Sequence, residues 1–172
     1  NVLKLRPDMV QAWYEKAGIF EVMGRHESAV KCLNTAVTLD RNYPDAWFGL
    51  GTALARLRRN EEAIKAFDRV AELKPDYPEL WYNRGLTEKE IGRLGQAARS
   101  FGKAHEQNPH HIAAWYAEGA VLLELKRFEE AIAGFDRALE LNARHSSSFI
   151  GKCEALLSLG HYMDASDSFD RG

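Results

Sequence analysis

Cysteine and proline are scarce in this chain, whose 172 residues include 2 Cys and 5 Pro. Two cysteines cannot form a disulfide framework, so a packed core must hold the fold. An excess of one charge is also lacking, because 23 Lys and Arg balance 25 Asp and Glu, for a formal net charge of −2. That balance gives no indication of nucleic-acid binding. The hydrophobic fraction of 45% is typical of a folded protein.

Long hydrophobic runs are absent as well. No uncharged apolar run approaches the roughly 20 residues that cross a membrane. Residues 1–6 lack the apolar stretch of a signal peptide. We therefore expect a cytoplasmic protein with no membrane partner.

The tryptophans are evenly spaced. Trp13, Trp47, Trp81 and Trp115 follow one another at intervals of 34 residues. A single core gives no reason for such spacing, so the chain is predicted to consist of internal repeats. With each Trp at position 4, we predict one continuous domain made of four full repeats, a partial fifth, and the end of a preceding second helix. In the same order, these segments are 10–43, 44–77, 78–111, 112–145, 146–172 and 1–9.

Other positions recur at the same interval. Position 8 is small, position 20 is alanine, and position 24 is large and apolar. The columns are Ala17, Gly51, Gly85, Gly119 and Cys153; Ala29, Ala63, Ala97, Ala131 and Ala165; and Leu33, Phe67, Phe101, Phe135 and Phe169. We expect the small residues to let two helices approach closely, while the large ones fill the space between repeats.

Each repeat is predicted to contain two helices, because its apolar residues follow a spacing of three to four. Gly24, Gly92 and Gly160 recur at position 15, where a left-handed residue readily ends the first helix. Pro44 and Pro78 are predicted at the first position of the following helix, where the missing N–H costs nothing. No stretch alternates as a strand does, so the chain is predicted to be all-α.

These columns resemble the tetratricopeptide repeat, a helix–turn–helix unit of 34 residues. The best matches surround Trp47, with Ala63 and Phe67, and Trp81, with Ala97. The resemblance covers the whole chain and implies a right-handed α-α superhelix, or solenoid. It also implies a non-enzymatic protein–protein interaction scaffold that binds a peptide or protein segment in its concave groove. The family often has Leu at position 7, where this chain has Lys16, Leu50, Arg84, Glu118 and Lys152.

The resemblance places the groove on the first helices, chiefly at positions 2, 5, 6, 9, 12 and 13. Position 5 carries a row of large side chains: Tyr14, Phe48, Tyr82, Tyr116 and Ile150. The flanking polar positions hold Glu15, Asp45, Glu79, Asn83, Lys89, Glu90, Glu124 and Glu154. The acidic excess predicts a neutral apolar or basic ligand. The alternative is that the position-5 rings pack within the fold instead of binding a ligand.

Two further polar patterns, the arginines of position 16 and the histidines, are weaker indications of function. Arg25, Arg59, Arg93 and Arg127 recur at position 16, and we interpret them as a solvated edge paired with acids such as Glu27, Glu62 and Glu130. A phosphate-bearing partner is the alternative. The six His residues are not grouped with Cys as four converging zinc ligands would be, so no metal site, cofactor or catalytic set is predicted.

The ends of the chain leave two further roles open. Neither end carries a polar capping helix, so we expect a fragment of a longer repeat array or a trimmed form of one. Uncapped ends could stack on other copies, which would make the chain a self-associating structural segment. The other alternative is a module that positions substrates for an enzyme within a larger multidomain protein.

Overall fold

A computed structural model of the chain describes residues 9–161. Within that range the chain forms helices and no strand. The helices are α1 (Val10–Val22), α2 (His26–Leu39), α3 (Pro44–Arg56), α4 (Asn60–Leu73), α5 (Leu80–Glu90), α6 (Leu94–Gln107), α7 (Ile112–Glu124), α8 (Phe128–Leu141) and α9 (Ser146–Ser158). The predicted all-α class is therefore confirmed. The end of a preceding helix, predicted at 1–9, falls almost wholly outside the described residues. The second helix of the fifth repeat also lies outside them.

The helices are grouped in two compact units that divide between Thr87 and Glu88. In the first unit, α1 packs on α2, α2 on α3, and α3 on α4. In the second unit, α6 packs on α7, α7 on α8, and α8 on α9, while α7 also contacts α9. Helices α1, α3, α7 and α9 begin at residues 10, 44, 112 and 146, at multiples of the 34-residue interval. The repeat boundaries themselves stay a prediction.

The recurring apolar columns form the core of each unit. Side chains at positions 20, 24 and 27 are buried: Ala29, Leu33, Ala36, Ala63, Phe67, Val70, Ala97, Phe101, Ala104, Ala131, Phe135 and Ala138. A Cβ atom added at Gly51 would lie 2.6 Å from the Phe67 ring, and one at Gly119 would lie 2.8 Å from the Phe135 ring. Position 8 is therefore glycine in these repeats because the phenylalanine of position 24 lies directly against its backbone.

Position 7, where the chain departs from the usual Leu, carries charges that pair with the second helix of the preceding repeat. The shortest distance between the polar atoms of each pair is 3.0 Å for Arg84 Nη2 and Asp68 Oδ1, 2.7 Å for Glu118 Oε2 and His105 Nε2, and 2.6 Å for Lys152 Nζ and Asp136 Oδ1. Each pair lies within one unit and joins helices from successive repeats. These partly exposed pairs fix which side chains meet across the contact, and each adds at most about 1 kcal/mol of stability.

The start of α5 corrects one prediction. Pro44 opens α3, as expected. Pro78 does not open a helix, because Glu79 has a φ of +62° and α5 begins only at Leu80. A left-handed residue cannot belong to a right-handed helix, so the segment around Pro78 is a turn.

The first helices end at a left-handed residue, as the glycines of position 15 predicted. The φ angles are +68° at Gly24, +60° at Arg58, +74° at Gly92, +60° at Lys126 and +78° at Gly160. Two repeats therefore hold a residue with a Cβ in a backbone conformation that favours glycine.

Lys126→Gly and Arg58→Gly should each stabilise the protein by about 0.5–1 kcal/mol. The glycine removes steric strain of about 1–2 kcal/mol but costs part of that gain in backbone entropy. Chemical denaturation of each variant measures the change. Lys126→Ala is the matched control, because alanine loses the same side chain and keeps the Cβ. If Lys126→Ala stabilised the protein as much as Lys126→Gly, backbone strain would not be the cause.

Candidate functional site

A cavity of about 610 Å³ lies over α7 and α9 in the second unit, and we call it the α7–α9 cavity. Tyr116 and Ile150, both at position 5 of their repeats, line it from the two helices. Further lining residues are Ala120 and Leu123 on α7, Gly151, Glu154 and Ser158 on α9, and the rim residues Lys89, Glu124 and Lys126. These helix residues occupy the positions at which the groove was predicted.

Small side chains account for the cavity. Position 9 of the fourth repeat is Ala120, and position 6 of the fifth repeat is Gly151. A Cβ atom at Gly151 would lie 2.5 Å from the buried Phe135 ring, so that ring forms the floor beneath the glycine. Ile150 stands beside it with 65% of its surface exposed. The cavity therefore presents apolar surface at a concave place, as ligand-binding sites do.

The charges at the rim largely compensate one another. The Lys89 ammonium lies 3.0 Å from the Glu124 carboxylate. Lys126 and Glu154 bring one further charge of each sign to the cavity lining. In the part of the chain that the structure describes, no ion pair or hydrogen bond holds the carboxylate of Glu154. The rim is thus close to neutral, with one carboxylate available to a ligand.

Three of the position-5 rings, those of Tyr14, Phe48 and Tyr116, are half-buried and pack against the residue at position 34 of their own repeats. Ring centroids are 5.5 Å apart for Tyr14 and Tyr43, 4.8 Å for Phe48 and Tyr77, and 5.3 Å for Tyr116 and His145. Part of each ring therefore packs within the fold, and the rest of its surface stays accessible. Tyr116 also lies 6.0 Å from the ring of Phe135, so it supports the floor of the α7–α9 cavity.

The tyrosine phenols of the first unit are held in their neutral form. Burial raises the pKa of Tyr14, and the nearby Asp45 carboxylate raises it further. Burial also raises the pKa of Tyr77, whose hydroxyl donates a hydrogen bond of 2.6 Å to Asp45. The pKa of Tyr82 is raised by burial and then by Glu79. These side chains present O–H groups, not phenolates, at neutral pH.

The remaining predicted residues are dispersed. Glu15 is exposed and accepts a hydrogen bond of 3.1 Å from Gln11. The amide of Asn83 donates to the Glu79 carbonyl at 2.9 Å, so it is engaged by its own backbone. Glu90 is exposed and does not line the α7–α9 cavity. Of the residues predicted at groove positions, the structure brings five together there: Lys89, Tyr116, Glu124, Ile150 and Glu154. The residues Ala120 and Leu123 were not singled out from the sequence.

The arginines of position 16 pair locally where the structure gives their partners. Arg59 makes two hydrogen bonds to Glu62, of 2.7 and 2.8 Å. Arg127 does the same with Glu130, at 2.6 Å for each bond. The bond from Arg59 lowers the pKa of the Glu62 carboxyl. The interpretation of this column as a paired, solvated edge is therefore supported at these two positions.

Two histidines serve as helix caps. Nδ1 of His111 accepts the backbone N–H of Ala114 at 3.2 Å, and Nδ1 of His145 accepts that of Ser148 at 3.3 Å. Among residues 9–161, no three His, Cys, Asp or Glu side chains are grouped so that they could hold a metal ion. Within the same residues, no helix combines the length and the apolar character needed to cross a membrane.

Paired helices that repeat at a fixed interval define the class of helical-repeat proteins. Two family models, each described as tetratricopeptide repeat, match residues 21–78 and 91–148, which together make up more than half of the chain. The chain belongs to the tetratricopeptide repeat family. Proteins of this family are generally interaction scaffolds without enzymatic activity. No curated protein matches the chain by sequence.

Solved structures share the fold at low sequence identity. A crystal structure of MamA has a TM-score of 0.90 at 16% identity and covers 94% of this chain and 88% of that one. MamA 41-end from Desulfovibrio magneticus RS-1 has a TM-score of 0.86 at 19% identity, over 94% and 92% of the two chains. YrrB, described as a TPR protein with an unusual peptide-binding site, has a TM-score of 0.88 at 18% identity, over 99% and 88%. These likenesses confirm the tetratricopeptide fold.

Proposed function

We propose that this chain is a non-enzymatic protein-interaction scaffold that binds a peptide or protein segment over α7 and α9. An apolar side chain of the ligand enters the α7–α9 cavity between Tyr116 and Ile150. The single observation that carries the proposal is that cavity of about 610 Å³, bordered by an isoleucine that is 65% exposed. Covering such apolar surface is favourable by roughly 25 cal/mol per Å².

The charged residues at the rim of the cavity indicate which ligands are expected to bind. Lys89 and Glu124 satisfy each other, so neither favours a charged ligand strongly. Glu154 lines the cavity with its carboxylate available, and it suits a backbone N–H or a basic side chain of the ligand. A neutral apolar segment is therefore preferred, with a basic residue tolerated beside Glu154. The preference for a basic ligand is weaker at this cavity than the acidic residues at the groove positions predicted.

Ile150→Ser should weaken binding of such a segment about tenfold, because it removes apolar contact at the centre of the cavity. The ligands are peptides selected from a displayed random library with the unaltered protein. Their affinity is measured by fluorescence anisotropy. Because Tyr116 packs on Phe135 and His145, Tyr116→Ala would disturb the fold as well, and Ile150 is the cleaner test.

Ile19→Ser is the matched control. Ile19 is 61% exposed and also lies on a first helix, but it does not line the cavity. Ala120→Phe supplies an independent test, since a phenylalanine there would fill the cavity and block the ligand. Equal loss of binding from the two serine substitutions, or undiminished binding by Ala120→Phe, would show that the site lies elsewhere.

A further inference from the structure

Trp47 differs from the other tryptophans of its column in the contacts of its ring. In the others, a basic side chain lies over the ring. The ring centroid of Trp13 is 5.0 Å from Lys16 Nζ, and that of Trp81 is 5.5 Å from Arg84 Cζ. The ring centroid of Trp115 is 3.4 Å from that of His105 and 5.7 Å from Arg137 Cζ. Among the described residues, no aromatic ring or cation contacts the Trp47 ring. One cause is visible in the sequence, since position 7 of this repeat is Leu50 where its neighbours have Lys16 and Arg84.

A second cavity, of about 640 Å³, borders Trp47 in the first unit. It is lined by Asn34, Val37, Thr38, Arg41, Trp47 and Arg69. These residues belong to α2, the α2–α3 loop, the start of α3 and α4. We call them the Trp47 surface. The indole N–H is already used, because it donates to the Arg41 carbonyl at 2.9 Å. What remains for a ligand is the half-buried ring and the polar groups around it.

The charge available at the Trp47 surface is positive. Arg41 is exposed, and no described residue forms an ion pair or hydrogen bond with its guanidinium. The Arg69 guanidinium forms an ion pair with Glu72, with Nη1 2.7 Å from Oε2, and Nη2 donates a hydrogen bond of 3.3 Å to Asn42 Oδ1. No carboxylate lines the cavity. An approaching anion therefore meets the unpaired guanidinium of Arg41, while the guanidinium of Arg69 is already paired with Glu72.

The first repeat lacks the acids that most of the following repeats carry at two of the positions lining this cavity. Position 25 is Asn34 here, position 29 is Thr38, and position 32 is Arg41. The corresponding residues in the following repeats are Asp68, Gly102 and Asp136 at position 25; Glu72, Glu106 and Glu140 at position 29; and Pro75, Pro109 and Ala143 at position 32. The first repeat thus has neutral groups at positions 25 and 29, where most of the following repeats have carboxylates, and a guanidinium at position 32 beside the half-buried Trp47 ring.

We propose that the Trp47 surface binds an acidic segment of a partner protein. An apolar or aromatic side chain of that segment covers the Trp47 ring, and a neighbouring carboxylate pairs with Arg41. Arg–carboxylate pairs are strong and directional, and an aromatic ring next to arginine is a common centre of protein interfaces. A basic segment is disfavoured, because the unpaired guanidinium of Arg41 would repel it. This interaction is separate from the one over α7 and α9 and needs a ligand of opposite charge.

The test uses peptides selected from the displayed random library and sorted by net charge. Acidic peptides that combine Asp or Glu with an apolar or aromatic residue should be enriched by the unaltered protein. Arg41→Ala should weaken their binding about tenfold or more. The double variant Asn34→Asp, Thr38→Glu should do the same, since it introduces the two acids that the second and fourth repeats carry at these positions. Ile150→Ser should leave their affinity unchanged, which separates this surface from the α7–α9 cavity.

Structural damage is distinguished from lost binding by the choice of residues. Asn34, Thr38 and Arg41 are exposed, so thermal melts of these variants should match that of the unaltered protein. Two results would overturn the proposal. One is a selection that enriches no acidic peptides. The other is an acidic peptide that binds Arg41→Ala and the double variant as tightly as the unaltered protein.

Discussion

Replacing Phe135 by alanine is expected to lower the free energy of unfolding by about 3–5 kcal/mol. The side chain is 0% exposed, and Cβ atoms added at Gly119 or Gly151 would meet its ring at 2.8 and 2.5 Å. The ring therefore fills the space between α7, α8 and α9. Neighbouring glycines have no side chains that could move into the hole. Urea denaturation followed by circular dichroism measures the change.

Phe128→Ala is the control for this substitution. Phe128 is also on α8, but it is only half-buried, so its replacement should cost clearly less. Because repeat proteins are stabilised by contacts between neighbours, the loss should appear mainly in the transition of the second unit. If Phe135→Ala destabilised the protein no more than Phe128→Ala, the assignment of position 24 to the core would be wrong.

Trp81→Ala is expected to cost about 3–5 kcal/mol as well. Trp81 is 8% exposed, and its indole N–H donates to the Pro75 carbonyl at 2.9 Å. The substitution removes a large buried ring and the hydrogen bond between α5 and the start of the preceding loop. A thermal melt of the variant should show a large decrease in melting temperature.

Trp47→Ala provides the comparison at the same repeat position. Its indole makes the equivalent bond to Arg41 at 2.9 Å, but the ring is half-buried and borders a cavity. Its loss should therefore cost less than that of Trp81. A melt that Trp81→Ala leaves unchanged would contradict the 34-residue register on which the whole interpretation rests.

Much of the fold could be predicted because each repeat imposes the same packing on the same positions. The columns of Ala131, Phe135 and Gly119 recur because a small residue must lie beside a large one wherever two helices cross closely. The glycines of position 15 predicted that the first helices end at a left-handed residue. Arg58 and Lys126 show that the backbone adopts this conformation at that position without glycine as well.

The start of α5 and the partners of the position-7 residues could not be predicted, because they depend on local backbone conformation and on contacts between repeats. A column of recurring residues shows neither. Whether Pro78 opens a helix is decided by the conformation of Glu79, which the pattern of the other repeats did not predict. The charged residues at position 7 have partners 13 or 16 residues earlier in the chain, a separation that the 34-residue interval does not predict.

The candidate site was predicted in outline only. The sequence indicated which positions line a groove, but the size of the α7–α9 cavity depends on Ala120, Ile150 and Gly151 occurring together on neighbouring helices. The rings of position 5 were candidates for both binding and packing, and their contacts with position 34 show that they pack. The ligand contacts proposed for them rest on the surface that this packing leaves accessible.

An amide chemical-shift titration of isotope-labelled protein tests directly whether the α7–α9 cavity receives an apolar segment of a partner. The titrant is a neutral peptide selected from the random library. We expect the largest shifts on α7 and α9, at residues such as Ala120, Leu123, Ile150 and Glu154. Shifts confined to other helices, with these residues unmoved at saturation, would contradict this expectation.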